Sequence, residues 1–323
     1  MAPLVSIIMP SFNAERYVAE SIRSVLGQTF TDWELVVVDD GSVDRTAEVV
    51  CKLAAEDPRI RYVWRENGGQ AAARNTGIRY LPSPVVAFID ADDLWLPEKL
   101  ARQLSVMEET AADVVYCDGY VFYDDSTPER ADFFAVVPGR TDGATMFPLL
   151  FEYNRIATLS VVARRDALER VGFFDEDRRL QNCEDYDLWL SLARAGSTFY
   201  GMTDKLIRYR RHSASSTHSE SKLLGPMIDV MKKHSEDVDH RTSQQRIRGL
   251  YRELIATLLA EGDLVGARER MREFASWDKG GLVTIFQRIL LQLSPRNFDN
   301  ISRECLYRTE WHVGNLINKL RSQ

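Results

Sequence analysis

The 323-residue chain is sparing with cysteine: Cys51, Cys117, Cys183 and Cys305 stand far apart, with no C-x-x-C pair and no histidine at zinc-ligand spacing. That spacing signals neither a disulfide framework nor a structural zinc site and leaves reduced thiols as the default. Also missing are a G-x-G and a G-x-x-x-x-G-K, which sets aside the dinucleotide fingerprint and the P-loop. No stretch offers about 18 uninterrupted apolar residues, so no bilayer span is predicted. Met1 leads straight into a strand-like run, without the regions of a secretory signal. Nor is there a basic excess: 41 Lys+Arg face 48 Asp+Glu, a net charge of -7, which argues against nucleic acid as a partner. The imbalance is local, because residues 241–323 hold 14 basic against 9 acidic groups and the rest of the chain 27 against 39. Such a basic tail is a solvated face or faces an acidic surface.

What the chain does have is an ordinary soluble composition, 45% apolar and 28% charged, with length for one large or two modest domains. Short β-branched or aromatic runs at 4–9, 34–38, 60–64 and 85–89 alternate with helical periodicity at 14–26, 44–55 and 70–80. That alternation predicts a parallel α/β sheet, in which ligands collect beyond the carboxyl ends of the strands. A further strand is predicted at 113–123, a mobile connection or lid at 124–141, and a helix at 185–195 stopped by Gly196. Beyond His218 strand signals vanish and helices are predicted at 223–233, 243–260, 264–275, 281–293 and 305–320. The expected domains are therefore 1–218, α/β, and 219–323, all-α. Residues 246–275 read as a helical hairpin, either a plain packing unit or one tetratricopeptide-like repeat.

Four strand ends lead into loops with chemistry. Pro10-Ser11-Phe12-Asn13 offers a hydroxyl and a ring able to stack on a base; as a bland alternative it is an ordinary turn. Asp39 and Asp40 suit an imide N–H and ribose hydroxyls, unless the segment merely caps a helix. Gly68 and Gly69 open the third helix, so their amides could approach a diphosphate, with the donor fork of Arg74 about one turn further on. Asp90-Ala91-Asp92-Asp93 is the sharpest signal. Three carboxylates at the tip of a buried strand repel one another unless a cation or strong donors sit among them, and the oxygen-only set points to Mn2+ or Mg2+.

With Glu184-Asp185 and Tyr209-Arg210-Arg211-His212, these motifs resemble the inverting family 2 glycosyltransferases, in family order over about residues 3–215. The resemblance implies a GT-A (Rossmann-like) fold: a mixed, mostly parallel sheet flanked by helices, here followed by an all-α C-terminal region. It implies a nucleotide-sugar donor, with the base held by Pro10, Ser11, Phe12, Asn13, Asp39 and Asp40, and the diphosphate and ribose approached by Gly68, Gly69, Arg74, Asp90 and Ala91. It implies a cation held chiefly by Asp92, with Asp90 nearer the ribose or reaching the metal through water and His212 reaching metal or diphosphate, and a general base at Asp185 with Glu184 as second candidate. Trp95 is a candidate acceptor platform, with core burial as the alternative.

The expected activity is metal-dependent inverting transfer from a nucleotide sugar, UDP-sugar favoured, to a hydroxyl of a glycan, lipid-linked or other cell-surface acceptor. The expected setting is cytoplasmic, with peripheral contact at the inner membrane face or homodimerisation through the helical region as further expectations. A non-catalytic nucleotide-sugar-binding or scaffold protein is the competing class. A sugar-phosphate nucleotidyltransferase is disfavoured because the first loop is not glycine-rich and basic.

Overall fold

The computed structural model describes residues 3–124, 127–131, 135–212 and 220–278. The chain divides into two compact units, Met1–His218 and Ser219–Gln323.

The first unit is built on β1 (Val5–Ser11), α1 (Val18–Leu26), β2 (Trp33–Asp39), α2 (Thr46–Glu56), β3 (Ile60–Trp64), α3 (Gln70–Tyr80) and β4 (Val85–Phe88). These give the predicted parallel core, β3-β2-β1-β4. All seven residues of β1 are buried, because helices cover both faces of the sheet. Val5, Ile7 and Met9 pack with Ile22 and Val25 of α1 on one side. On the other, α3 comes so close at Gly77 that an added Cβ would lie 2.7 Å from Ile8 Cγ2, which is why this stretch of α3 carries small residues. The helix expected over 14–26 starts only at Val18, since the preceding turn is pinned to the second loop. There the Asn13, Ala14 and Glu15 amides donate to Ser42, Thr46 and Asp44.

Beyond β4 the chain forms β5 (Leu94–Trp95), α4 (Lys99–Thr110), β6 (Val114–Tyr123), β7 (Gly139–Thr141), α5 (Gly143–Glu152), β8 (Val162–Arg164), α6 (Arg165–Val171), α7 (Glu184–Arg194) and β9 (Phe199–Arg211). β8 runs antiparallel between β4 and β6, β6 pairs in parallel with the long β9, and β5 and β7 each add antiparallel pairs to β9. The sheet is thus mixed, and β9 delivers His212 to the same end of the sheet as the acidic strand tip: Leu94 pairs with Arg208, and the Arg210 amide donates to Asp93. The described parts of the expected lid are tied down instead, Arg130 bridging to Val121 and 139–141 joining the sheet as β7.

In the second unit α8 (Glu220–Lys233) and α10 (Leu264–Trp277) both pack on α9 (His240–Glu261). Tyr251, Phe274 and Trp277 stack in the hairpin of α9 and α10, and Lys232 and Tyr251 both donate to Glu273. Gly262, at φ 83°, caps α9, and Asp263 caps α10. The helices expected at 281–293 and 305–320 lie outside the described residues. No described helix is long and apolar enough to cross a membrane.

Candidate active site

A cleft of about 710 Å3 opens over the carboxyl ends of β1, β2 and β4. Of the residues singled out in the sequence, Pro10, Ser11, Phe12, Asn13 and Asp40 line one part of it, and Gly69, Asp90, Ala91, Asp92 and His212 another. Phe12 is half exposed at the rim. Asn13 takes a left-handed backbone, φ 49°, which lets its side chain accept from the Val43 amide and brace the two loops together.

At the acidic wall, Asp92 Oδ2 lies 3.0 Å from His212 Nε2. The His212 ring packs against Tyr17, centroid to centroid 4.6 Å. Tyr17 in turn donates its hydroxyl to Asp124, which also accepts from Arg210, so one aromatic side chain ties the first loop to the end of β9. Asp93 behaves differently from Asp92. It is buried, accepts the Arg210 amide at 2.8 Å, and its pKa is pushed well above the carboxylate range by burial and by Asp92 and Asp90. Asp93 thus holds β9 in place. Among the described residues no group of three or more His, Cys, Asp or Glu side chains that could hold a metal ion is found.

Arg74 corrects an expectation. Rather than turning a fork toward a diphosphate, it is 2% exposed, absent from the cleft lining, and clamped between Glu184 Oε1 at 2.6 Å and Asp90 Oδ1 at 2.8 Å. Burial opposes its charge, but Asp90, Glu184 and Asp185 outweigh burial and push its pKa up. The reason is geometric: α3 packs inward through its small residues, so a side chain one turn into it meets α7, not the cleft mouth. The glycine turn reaches the cleft through Gly69, but its amides have partners within the chain. Gly68 and Gly69 donate their amides to the two oxygens of Asp40, at 2.9 and 2.7 Å, so those N–H groups are already committed. Asp39 is buried and accepts from Tyr62 and from the Ser42 amide, and it does not line the cleft. Trp95 is no acceptor platform: it is 3% exposed, its indole N–H bonds to the Leu159 carbonyl, and Lys99 Nζ sits 4.0 Å from its ring.

Glu184 and Asp185 open α7, two and three residues past Asn182; Gln181 and Asn182 line the cleft, whereas Glu184 and Asp185 do not. They differ in environment. Glu184 is buried and ion-paired to Arg74, whereas Asp185 is partly exposed, with its pKa raised to about 6 by burial and by Glu184. Asp185 is not the helix cap, a position taken by Cys183 without a side-chain bond. Its Oδ2 accepts from the Thr158 hydroxyl and its Oδ1 from the Tyr186 amide. Asp90 and Glu184, anchored on one guanidinium, join the acidic strand tip to the start of α7.

The sequence profile of "Glycosyl transferase family 2" matches residues 6–171. The chain belongs to this family. It is 35% identical over 198 residues to the UDP-Glc:alpha-D-GlcNAc-diphosphoundecaprenol beta-1,3-glucosyltransferase WfgD of Escherichia coli, covering 59% of this chain and 70% of that one. Among solved structures, S. aureus TarS 1-349 in complex with UDP-GlcNAc superposes with a TM-score of 0.62 at 18% identity, covering 94% of this chain and 92% of that one. The Pyrobaculum calidifontis mannosyltransferase PcManGT in complex with GDP-Man and Mn2+ gives 0.57 at 18%, covering 99% and 88%. The fold is GT-A, and the chain is a glycosyltransferase.

Tyr17, Asp124 and Thr158 escaped the sequence reading as site residues, because they sit in stretches whose spacing carries no chemical pattern; Arg210 entered it only as part of the Tyr209–His212 motif.

Proposed function

We propose that this glycosyltransferase moves a sugar, with inversion and divalent-cation dependence, from a UDP-sugar to a hydroxyl of a lipid-linked or other glycan acceptor. Catalysis is assigned to residues 1–218. The observation that carries the reading is that Asp90, Asp92 and His212 line one cleft, and that Arg74, buried behind it, joins Asp90 to Glu184 at the start of α7, next to Asp185. The nucleoside is assigned to the part of the cleft beside Pro10, Ser11, Phe12 and Asn13, with Phe12 able to stack on the base. The UDP-Glc and diphosphoundecaprenol in the name of WfgD, and the UDP-GlcNAc bound by TarS, support the choice of donor and of lipid-linked acceptor.

A divalent ion fits the donor set. Asp92 Oδ2 and His212 Nε2, in direct contact at 3.0 Å, bring a carboxylate oxygen and an imidazole nitrogen to one point of the cleft, donors that a divalent ion accepts. Two protein ligands also suit a cation that shares itself with phosphate oxygens. Asp92 and His212 would hold it, and the chemistry it would supply there is to neutralise charge on the departing diphosphate. Tyr17 keeps the His212 ring facing Asp92. Arg74 does not touch the diphosphate; it keeps Asp90 and Glu184 in place while burial and Glu184 hold the Asp185 pKa near the working range of a general base. Asp185, partly exposed, takes the acceptor's proton, and Glu184, committed to Arg74, does not.

The test is a panel of UDP-, GDP- and dTDP-sugars screened by Mn2+-dependent thermal shift, followed by product analysis with the strongest binder. A Mn2+-dependent stabilisation by a UDP-sugar together with sugar transfer is expected. Binding without any transfer to glycan or lipid-linked acceptors would return the chain to the scaffold class.

A further inference from the structure

Thr158 lies outside every motif, on a one-turn 3-10 segment (Thr158–Ser160) that leads into β8. The segment is rigid for stated reasons. Leu159 and Ser160 are each 1% exposed, the Ser160 carbonyl accepts from Gln103, the Leu159 carbonyl accepts from Trp95, and the Ser160 hydroxyl closes back on the Ala157 carbonyl. From this footing the Thr158 hydroxyl reaches a residue 27 positions later and donates to Asp185 Oδ2 at 2.6 Å. The second oxygen of the same carboxylate accepts the Tyr186 amide at 2.7 Å. Two donors from separate parts of the chain therefore fix the plane of the Asp185 carboxylate, and only one of them is a side chain that can be exchanged without touching the backbone.

We propose that Thr158 is a positioning residue of the transfer reaction, its hydroxyl setting both the aim of the Asp185 carboxylate and the ease with which that group is ionised. The proposal rests on the reading of Asp185 as the base. A hydrogen bond donated to a carboxylate favours the charged form, so Thr158 works against burial and Glu184 and alongside Arg74 and the Tyr186 amide. The titratable and charged groups facing Asp185 are Glu184 and Cys183 on its own segment and Arg74 from α3. Arg74 is held charged throughout, and the Cys183 thiol is pushed up by burial and by Asp185 and Glu184, so neither changes charge as Asp185 titrates near neutrality.

The experiment compares Thr158→Val, which removes the hydroxyl at nearly constant volume, with Thr158→Ser, which keeps it, using Asp185→Asn as reference. Titration of the aspartate side-chain 13C resonances, with the Asp185 signal identified by its loss in Asp185→Asn, needs no substrate. Turnover is followed as UDP release from UDP-glucose and UDP-N-acetylglucosamine across the same pH range. In Thr158→Val the Asp185 midpoint is expected to rise by about one pH unit and kcat to fall about 10-fold or more, with KM for donor unchanged. Thr158→Ser is expected to restore both. A Thr158→Val protein with the parent's midpoint overturns the proposal, and so does a loss of turnover that Thr158→Ser fails to rescue, since that pattern belongs to packing. Should Val not be tolerated, Thr158→Ala against Thr158→Ser reads the same difference. If Asp185→Asn itself retains parental UDP release, the base assignment fails, whatever Thr158 does to the titration.

Discussion

Replacing Arg74 by methionine keeps most of the stem's volume and removes the guanidinium that joins α3 to the acidic strand tip and to α7. Glu184, 4% exposed in its side chain, would lose its 2.6 Å partner, and its Oε2 already lacks one. Breaking a buried pair by deleting one member costs about 3–5 kcal/mol, because a desolvated charge is left behind. For a domain of this size each kcal/mol moves Tm by about 2–4 °C, so the variant should melt about 6–20 °C lower near pH 8. The loss should shrink toward pH 5. Burial, the first cause of the raised Asp90 pKa, is resisted chiefly by Arg74, and without that cation the carboxylates take up protons at higher pH and escape the penalty in acid. Thermal unfolding at both pH values, with donor calorimetry on the folded variant, reads these effects. A methionine variant that melts within about 2 °C of the parent at pH 8 yet no longer binds donor would show Arg74 acting on the diphosphate, and the clamp would be wrong.

Two further predictions follow from the same environments. Lys99 is fully buried without a hydrogen-bond partner for Nζ, and burial lowers its pKa from 10.5 to about 7. A depressed lysine pKa means stability that is complete above the unfolded value and falls as pH drops toward the folded one. Lys99→Met should therefore flatten the stability profile between pH 10 and pH 7 and gain up to about 5 kcal/mol at pH 7, read by urea unfolding; an unchanged slope would contradict it. At the acidic tip, Asp92→Ala should abolish Mn2+-dependent donor binding by calorimetry, while Asp93→Ala should chiefly lower Tm because it frees the Arg210 amide. Equal donor affinities in the two variants would dissolve the distinction.

The parallel core and its loops were legible because β-branched runs and helical periodicity are local signals, and the acidic tip of β4 declared itself by the repulsion it must relieve. Direction was not legible. Arg74 sits one turn past a glycine turn, as a phosphate ligand would, but the tight approach of α3 at Gly77 turns it toward α7. Asp40 looks like a nucleoside ligand in sequence, yet the turn amides 28 and 29 residues further along the chain fold onto its oxygens. β9 was missed because Phe199–Arg211 interleaves charged and apolar residues without clean alternation, a consequence of the register shifts where β6 meets it at Asp118. Trp95 and Thr158 show the same limit. An aromatic beside an acidic cluster invites a functional reading and a lone threonine does not, but what decides is the partner each buried side chain meets, the Leu159 carbonyl for the indole and the Asp185 carboxylate for the hydroxyl.

The most direct measurement is NMR of the anomeric centre in the product formed from an α-linked UDP-sugar with Mn2+, using the parent enzyme and Asp185→Asn. The account predicts a β-linked product from the parent and no product from an Asp185→Asn protein that still binds donor. An α-linked product, or transfer by Asp185→Asn at the parental rate, would contradict it.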